Sequence, residues 1–123
     1  MKIAEVSERY EISLDTLRYY ERIGLIQPVT RRENGIRDYN EIDLKHVEFA
    51  KCMRSAGLPV EVLIEYVHLV QQGDKTIEAR KEILEEQRKL LVTKMEEMQK
   101  TLDMLNHKID VYEKTLLKIE KEL

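Results

Sequence analysis

Four polar side chains between residues 15 and 22 have the types and the spacing to contact DNA. They occupy positions i, i+3, i+4 and i+7 and are Asp15, Arg18, Tyr19 and Arg22. This spacing places them on one face of an α-helix. Arginine guanidiniums and tyrosine hydroxyls suit phosphate oxygens and base edges, whereas a solvated face would normally mix Lys with Glu. Short motifs are nonspecific, so this stripe leaves DNA contact and an ordinary charged surface both open.

The helix that carries the stripe has predicted ends on both sides. Ser13 suits the N-cap because its hydroxyl can accept a backbone N–H of the first turn, and Gly24 suits the C-terminal end. The positions expected to turn inward are Leu14, Leu17 and Tyr20. A shorter helix is predicted from Lys2 to Tyr10, and a tight turn at 11–13 joins the two. The pair predicts a helix-turn-helix, whose first helix supports the second in the major groove.

A hairpin is predicted around the dipeptide Asn34-Gly35. This dipeptide lies between the segments 30–33 and 36–39 and is a strong signal for a two-residue hairpin turn. Residues 37 and 39 alternate onto one strand face. The strands are too short and too polar to hold a sheet alone. The hairpin is therefore either an exposed loop or a wing that directs side chains at phosphates, namely Arg31, Arg37 and Tyr39.

The motif T-L-R-Y-Y-E-R-I-G-L-I, followed by P and then by N-G-I-R-D-Y, resembles the signature of MerR-family transcription regulators. Here it occupies residues 16–39, and the layout of nearly the whole chain is similar to that family. The surroundings of Cys52 are most similar to the NmlR-like thiol regulators. The resemblance favours the wing interpretation and implies a set of DNA contacts: Ser13, Thr16, Arg18, Tyr19, Arg31, Arg37 and Tyr39. The family usually has glycine where Glu11 stands, which leaves room for a differently built turn.

Two further helices complete the predicted core. One begins at the cap Asn40 and runs to Ala56 before Gly57, and the other has Pro59 in its first turn and ends at Gly73. The third helix is expected to turn inward Ile42, Phe49, Met53 and Ala56, with Val47 and Ala50 nearby. The fourth is expected to turn inward Val60, Leu63, Ile64, Val67 and Val70. Residues 1–73 are thus predicted to form a winged helix-turn-helix domain.

Residues 74–123 are predicted to form a dimerisation coiled-coil helix. The segment 75–123 contains no Gly and no Pro, and apolar residues repeat along it as an a/d seam, the signature of a coiled coil. The residues expected at the interface are Leu91, Met95, Met98, Leu102, Leu105, Ile109 and Tyr112. A helix this long overshoots a core of about 70 residues, so a second copy is the expected partner. The resemblance implies an antiparallel pairing, and a break near residues 106–107 stays open.

Composition favours a mainly α-helical protein with long solvated helices. Of 123 residues, 37% are charged and 6% aromatic, and the net charge of −3 argues neither for nor against DNA binding. Neither a membrane-length apolar run nor a signal peptide is present, which predicts a soluble, cytoplasmic protein that does not engage membranes. The three histidines are far apart and lack a ligand cluster, so we expect no metal site and no cofactor.

Cys52 is the only cysteine and is the candidate sensor. From the sequence alone, a small buried side chain between Phe49 and Ala56 is the favoured interpretation, because reactivity requires a lowered thiol pKa. The resemblance points instead to regulators whose single cysteine responds to aldehydes or nitrosative stress. A regulator of the same fold with a metal or another non-thiol inducer is the alternative.

We therefore expect a homodimeric regulator that binds double-stranded DNA and is not an enzyme. The resemblance implies that such a dimer binds a palindromic operator and distorts the promoter so that RNA polymerase can engage it. A thiol enzyme would need a base near Cys52, and the sequence offers no such constellation. A structural coiled-coil protein would leave the arginine-tyrosine stripe and the wing without a role.

Overall fold

The computed structural model describes residues 1–123 and is mainly α-helical, which confirms the predicted fold class. The helices, numbered in chain order, are α1 (Ile3–Tyr10), α2 (Leu14–Arg22), α3 (Glu41–Ser55), α4 (Val60–Gln71), α5 (Ile77–Asp110) and α6 (Leu117–Glu122). A 3₁₀ turn at Asp74–Thr76 precedes α5, and a π-helical segment at Tyr112–Leu116 precedes α6. No helix is both long enough and apolar enough to cross a bilayer.

Two compact units make up the chain, Met1–Ile83 and Leu84–Leu123. The first turns of α5 belong to the N-terminal unit, so the predicted boundary after residue 73 falls inside that unit. Its core is one cluster of buried side chains drawn from α1–α4 and from the segment after α2. Its largest fully buried side chains are Val6, Leu17, Ile26, Val47 and Leu63.

Four residues predicted to turn inward are exposed instead, one of them Ala56 at the C-terminal cap of α3. Leu14 is 37% exposed, Ile42 63% and Val70 43%. Each of these three lies in the first or last turn of its helix. Helical periodicity gives the direction of a side chain, but it does not tell whether another element reaches the end of the helix. The side chains of Leu17, Val47 and Leu63, which lie further into the same helices, are fully buried.

The turn between α1 and α2 is left-handed at Glu11, with φ 55° and ψ 42°. Glu11 is the only residue other than glycine with a positive φ, so glutamate adopts the conformation that glycine would take. The differently built turn that the sequence left open is not needed, because Glu11 itself takes the left-handed conformation. The Ser7 hydroxyl donates to the carbonyl of Ile12 at 2.6 Å and braces the turn, offsetting a strain of about 1 kcal/mol.

The C-terminal unit is helical throughout but irregular near residue 111. Val111 leaves helical geometry with φ −108° and ψ 17°, several residues beyond the possible break near 106–107. Within the π-helical segment the Leu117 N–H donates to the carbonyl of Tyr112, five residues back. The Tyr112 hydroxyl donates to the Glu120 carboxylate at 2.6 Å, and this hydrogen bond and the neighbouring charge raise the pKa of Tyr112.

Candidate nucleic-acid interface

The outward face of α2 carries the predicted stripe. All four of its side chains are exposed: Asp15, Arg18, Tyr19 and Arg22. The Arg18 Nη1 lies 3.5 Å from Asp15 Oδ1, and an ion pair this exposed contributes little, so Arg18 can exchange it for a phosphate or a base. The Arg22 guanidinium lies 5.3 Å from the centre of the Tyr19 ring, a cation–π distance that holds both side chains on this face.

Ser13 begins α2 as its N-cap, which confirms that prediction. Its hydroxyl oxygen accepts the Thr16 N–H at 3.1 Å and its hydroxyl donates to the Thr16 Oγ1 at 2.7 Å. Both hydroxyls therefore lie at the N-terminus of the helix, where orphan N–H groups favour an anion. Ser13 is exposed and Thr16 is half-buried.

The predicted hairpin is present, but its turn differs from the prediction. Arg31 and Arg37 form an isolated antiparallel bridge, flanked by a hydrogen bond from Asp38 N–H to the carbonyl of Thr30 at 2.7 Å. The Gly35 N–H donates to the carbonyl of Arg32 at 2.8 Å. The central turn residues are therefore 33 and 34, not Asn34-Gly35. A two-residue type I′ turn needs positive φ at both central residues, and only Gly35 has it, at 82°.

One carboxylate of α2, that of Glu21, joins the recognition helix to the wing. Its Oε1 accepts the Arg37 Nε–H at 2.7 Å and lies 3.6 Å from the Arg31 Nη2. Its Oε2 accepts the N–H of Val29 at 2.8 Å. Arg31 and Arg37 form a pair without mutual hydrogen bonds, the geometry that brings opposite side chains closest. Both guanidiniums therefore converge on Glu21.

The Glu21 carboxylate is largely shielded, with 11% of its side chain exposed. Burial by itself raises its pKa. The hydrogen bonds from Val29 and Arg37 and the charges of Arg37 and Arg31 outweigh that effect, so the pKa of Glu21 lies below its ordinary value. Sequence reasoning missed this residue. A signal was available, because Glu21 lies one helical turn after the inward Leu17, which puts a charge at the edge of the buried face.

A second carboxylate, that of Asp43 on α3, holds the beginning of the wing. Asp43 is 5% exposed, and its Oδ2 accepts the N–H groups of Thr30 at 3.1 Å and Asn40 at 2.9 Å. Asn40 in turn accepts the Asp43 N–H at 2.8 Å, which completes a capping box. The two consecutive backbone N–H groups at positions 29 and 30 are thus each held by a carboxylate from a different helix.

Tyr39 does not face the surface, and its predicted phosphate contact is wrong. The residue is 2% exposed and belongs to the core, and its hydroxyl is shielded without a hydrogen-bond partner. Burial raises the pKa of Tyr39. Alternation does place Arg37 and Tyr39 on one face, but that face points towards α2 and the core. Arg31 and Arg37 remain at the surface, 44% and 23% exposed in their side chains.

Cys52 lies exposed on α3, so the interpretation as a packed core residue is wrong for the single chain. Ala56, its expected neighbour, is exposed as well, whereas Phe49 stacks on Tyr66 at a centroid distance of 5.8 Å. Cys52 follows the buried Ala50 by two residues, which places it on the opposite, solvent-facing side of α3. No three His, Cys, Asp or Glu side chains come together in a way that could hold a metal.

The predicted seam residues are all exposed along the C-terminal unit, with Met98 at 71% and Ile109 at 70%. The remaining seam positions are also uncovered: Leu91, Met95, Leu102, Leu105 and Tyr112. Single exposed apolar residues are ordinary, but a contiguous apolar stripe marks an interaction surface.

Comparison with known proteins agrees with this architecture. The family model described as MerR HTH family regulatory protein matches residues 1–70, and the model described as MerR, DNA binding matches residues 44–108. The HTH-type transcriptional regulator AdhR of Bacillus subtilis (strain 168) is 55% identical over 92 residues, which are 75% of this chain and 66% of AdhR.

Two solved structures extend the likeness to the fold. A crystal structure from Listeria monocytogenes, of a protein assigned to the MerR family, is 45% identical with a TM-score of 0.78 and covers 99% of this chain and 92% of its own. The second structure is that of HiNmlR, a MerR family regulator lacking the sensor domain, bound to promoter DNA. It is 30% identical with a TM-score of 0.71, and the match covers 94% of this chain and 92% of the HiNmlR chain. These relatives are transcription regulators, not enzymes, and this chain belongs to the MerR family of DNA-binding transcription regulators.

Proposed function

We propose that the protein binds a palindromic operator as a homodimer through α2 and the wing. The DNA contacts come from two groups: Ser13, Thr16, Arg18 and Tyr19 on α2, and Arg31 and Arg37 on the wing. The observation that carries this assignment is that both wing arginines, Arg31 and Arg37, converge on Glu21 of α2, which fixes the wing beside the helix that bears the exposed stripe. Phosphate contacts of this kind supply most of the affinity of a DNA-binding protein, and the regulator acts in the cytoplasm, where the chromosome lies.

Arg18→Ala tests the DNA contact. The substitution should weaken binding to an operator duplex, selected from random DNA, by about tenfold, since a good base or phosphate contact contributes roughly 1–3 kcal/mol. Lys81→Ala is the matched control, because it removes the same charge from an exposed position of α5. Equal affinity of both variants at one salt concentration would overturn the assignment.

The exposed seam supports a homodimer with one head on each half-site. A single head covers only one half of a palindrome, so dimerisation is needed for the affinity of the full site. By the mechanism of its family, the dimer distorts the promoter so that RNA polymerase engages both promoter elements, and phosphate contacts offset the deformation energy.

Cys52 is the proposed sensor, and the exposure of its thiol supports access by a small electrophile. Its thiolate would add to an aldehyde carbon, forming a C–S bond while the carbonyl oxygen takes up a proton. The thiolate is the reactive form of a cysteine side chain. A promoter assay with an aldehyde or a nitrosating agent, on wild type and Cys52→Ser, tests the role. Full induction of Cys52→Ser would leave the metal or other non-thiol inducer as the explanation.

A further inference from the structure

The Glu21 carboxylate stands where a phosphate-binding surface would be expected to avoid negative charge. It lies on the helix proposed to enter the major groove and beside both wing arginines that are proposed to reach the backbone. By Coulomb's law alone, a carboxylate here weakens the attraction of DNA. Its position therefore requires a compensating role in the complex.

Geometry supplies such a role. An arginine has five N–H donors in a rigid fork, and Glu21 takes only the Nε–H of Arg37 at 2.7 Å, which leaves its terminal N–H groups for a phosphate. Arg31 is held between the same carboxylate and the carbonyl of Gly35, which accepts its Nη1–H at 3.0 Å. Both guanidinium groups are thus fixed before DNA binds. The segment that leads into the wing is fixed as well, because the Val29 N–H donates to the Glu21 carboxylate at 2.8 Å.

We propose that Glu21 is a positioning residue for operator binding, which sets the two wing arginines and the wing entry at a fixed place relative to α2. It acts through Arg31 and Arg37 and does not itself touch DNA. The proposal rests on the proposed DNA contact of α2 and the wing. It adds that a negative side chain strengthens binding to the operator, because fixed side chains lose less conformational freedom on association.

The sign of the effect separates positioning from simple electrostatics. If Glu21 were only a nearby charge, its removal would tighten binding to every DNA. A positioning role predicts weaker binding to the operator and unchanged or slightly tighter binding to nonspecific DNA, since nonspecific affinity follows total charge.

Glu21→Gln is the test, because the amide keeps the size of the side chain and removes its charge. We expect operator affinity to fall about tenfold, while affinity for a scrambled duplex stays equal or rises up to about threefold. Glu33→Gln is the matched control, since it removes the same charge from an exposed turn residue of the wing. This control should bind both duplexes equally well or slightly better.

A double-mutant cycle with Arg37→Lys keeps the proposal falsifiable if Glu21→Gln is poorly folded. Lysine retains the charge but lacks the fork, so Arg37→Lys should lose a similar factor for the operator. Because the two side chains act as one unit, the double variant should lose little more than either single variant. Losses that simply multiply would overturn the proposal, and so would a Glu21→Gln protein that behaves like Glu33→Gln. If Arg18→Ala also binds normally, the proposed DNA surface itself fails.

Discussion

The two units of the molecule differ in where their side chains find partners. In the N-terminal unit (Met1–Ile83) the side chains of Leu17 and Leu63 are fully buried. The least exposed carboxylates of this unit are those of Glu21 and Asp43, and each accepts two hydrogen bonds from residues of the same unit. In Leu84–Leu123 the apolar side chains of α5 are uncovered, with Met98 at 71% exposure. The first unit buries its own core, whereas the apolar face of α5 in the second unit is uncovered and is the surface of the proposed homodimer. Substitutions in the N-terminal unit should therefore change the free energy of unfolding, and substitutions in the C-terminal unit should change the dissociation of the proposed dimer.

The largest effect is expected from Leu105→Lys in the C-terminal unit. A lysine in the seam would be buried without a partner, which costs several kcal/mol, so dimers should dissociate at micromolar concentration and operator binding should fall with them. Sedimentation velocity measures the dissociation. Met104→Lys is the control, because Met104 is 61% exposed but lies off the predicted seam. A Leu105→Lys protein that stays dimeric would place the interface elsewhere.

Asp43→Ala should instead destabilise the N-terminal unit and leave assembly intact. The substitution leaves the partly buried N–H groups of Thr30 and Asn40 without their acceptor, which should cost about 1 kcal/mol, the low end of the range for an unsatisfied donor. Chemical denaturation, followed by the tyrosine signals, measures the free energy of unfolding. Glu41→Ala, in the same first turn of α3, should change it by less than about 0.5 kcal/mol. Similar losses in both variants would show that Asp43 does not hold the wing.

The stabilisation by Glu21 should depend on pH. The pKa of Glu21 is lower in the folded protein than its ordinary value of 4.5, which applies to the unfolded chain. The stabilisation by the carboxylate is therefore fully present above the unfolded pKa. It is lost as the pH falls through the lower pKa of the folded protein. The difference in unfolding free energy between wild type and Glu21→Gln should be about 1 kcal/mol at pH 7 and should shrink below about pH 4. A difference that is constant from pH 3 to pH 7 would contradict the hydrogen-bond assignment.

The smallest effect is expected from Tyr39→Phe. The Tyr39 hydroxyl is shielded and unpaired, so its removal should leave stability unchanged or raise it by up to about 1 kcal/mol. The affinity of Tyr39→Phe for the operator should equal that of wild type. Arg37→Ala, which should lose affinity, is measured beside it as the control. Loss of operator binding in Tyr39→Phe would restore this residue to the DNA surface.

Periodicity and caps predicted most of the helices, because these signals are local. The Ser13 cap, the inward Leu17 and the exposed stripe of α2 all depend on neighbours within one or two turns. Tyr39, Ile42 and Cys52 were misplaced because their exposure depends on which element packs over them, and spacing along the chain does not contain that information. Glu21 was missed for a related reason. Its partners at positions 29, 31 and 37 become neighbours only after the hairpin has folded against α2.

The π-helical segment at Tyr112–Leu116 gives the seam a defined end. Each residue of an α-helix advances the side-chain direction by about 100°, and a π turn inserts about one extra residue. Residues beyond it are therefore rotated by roughly that angle relative to the heptad count. Ile119 and Leu123 fall at seam positions by the seven-residue count, yet after this rotation they no longer share a face with Leu105 and Ile109. The seven-residue repeat thus ends at the π-helical segment. The side chains of the last helical turns point in a different direction and form a separate surface.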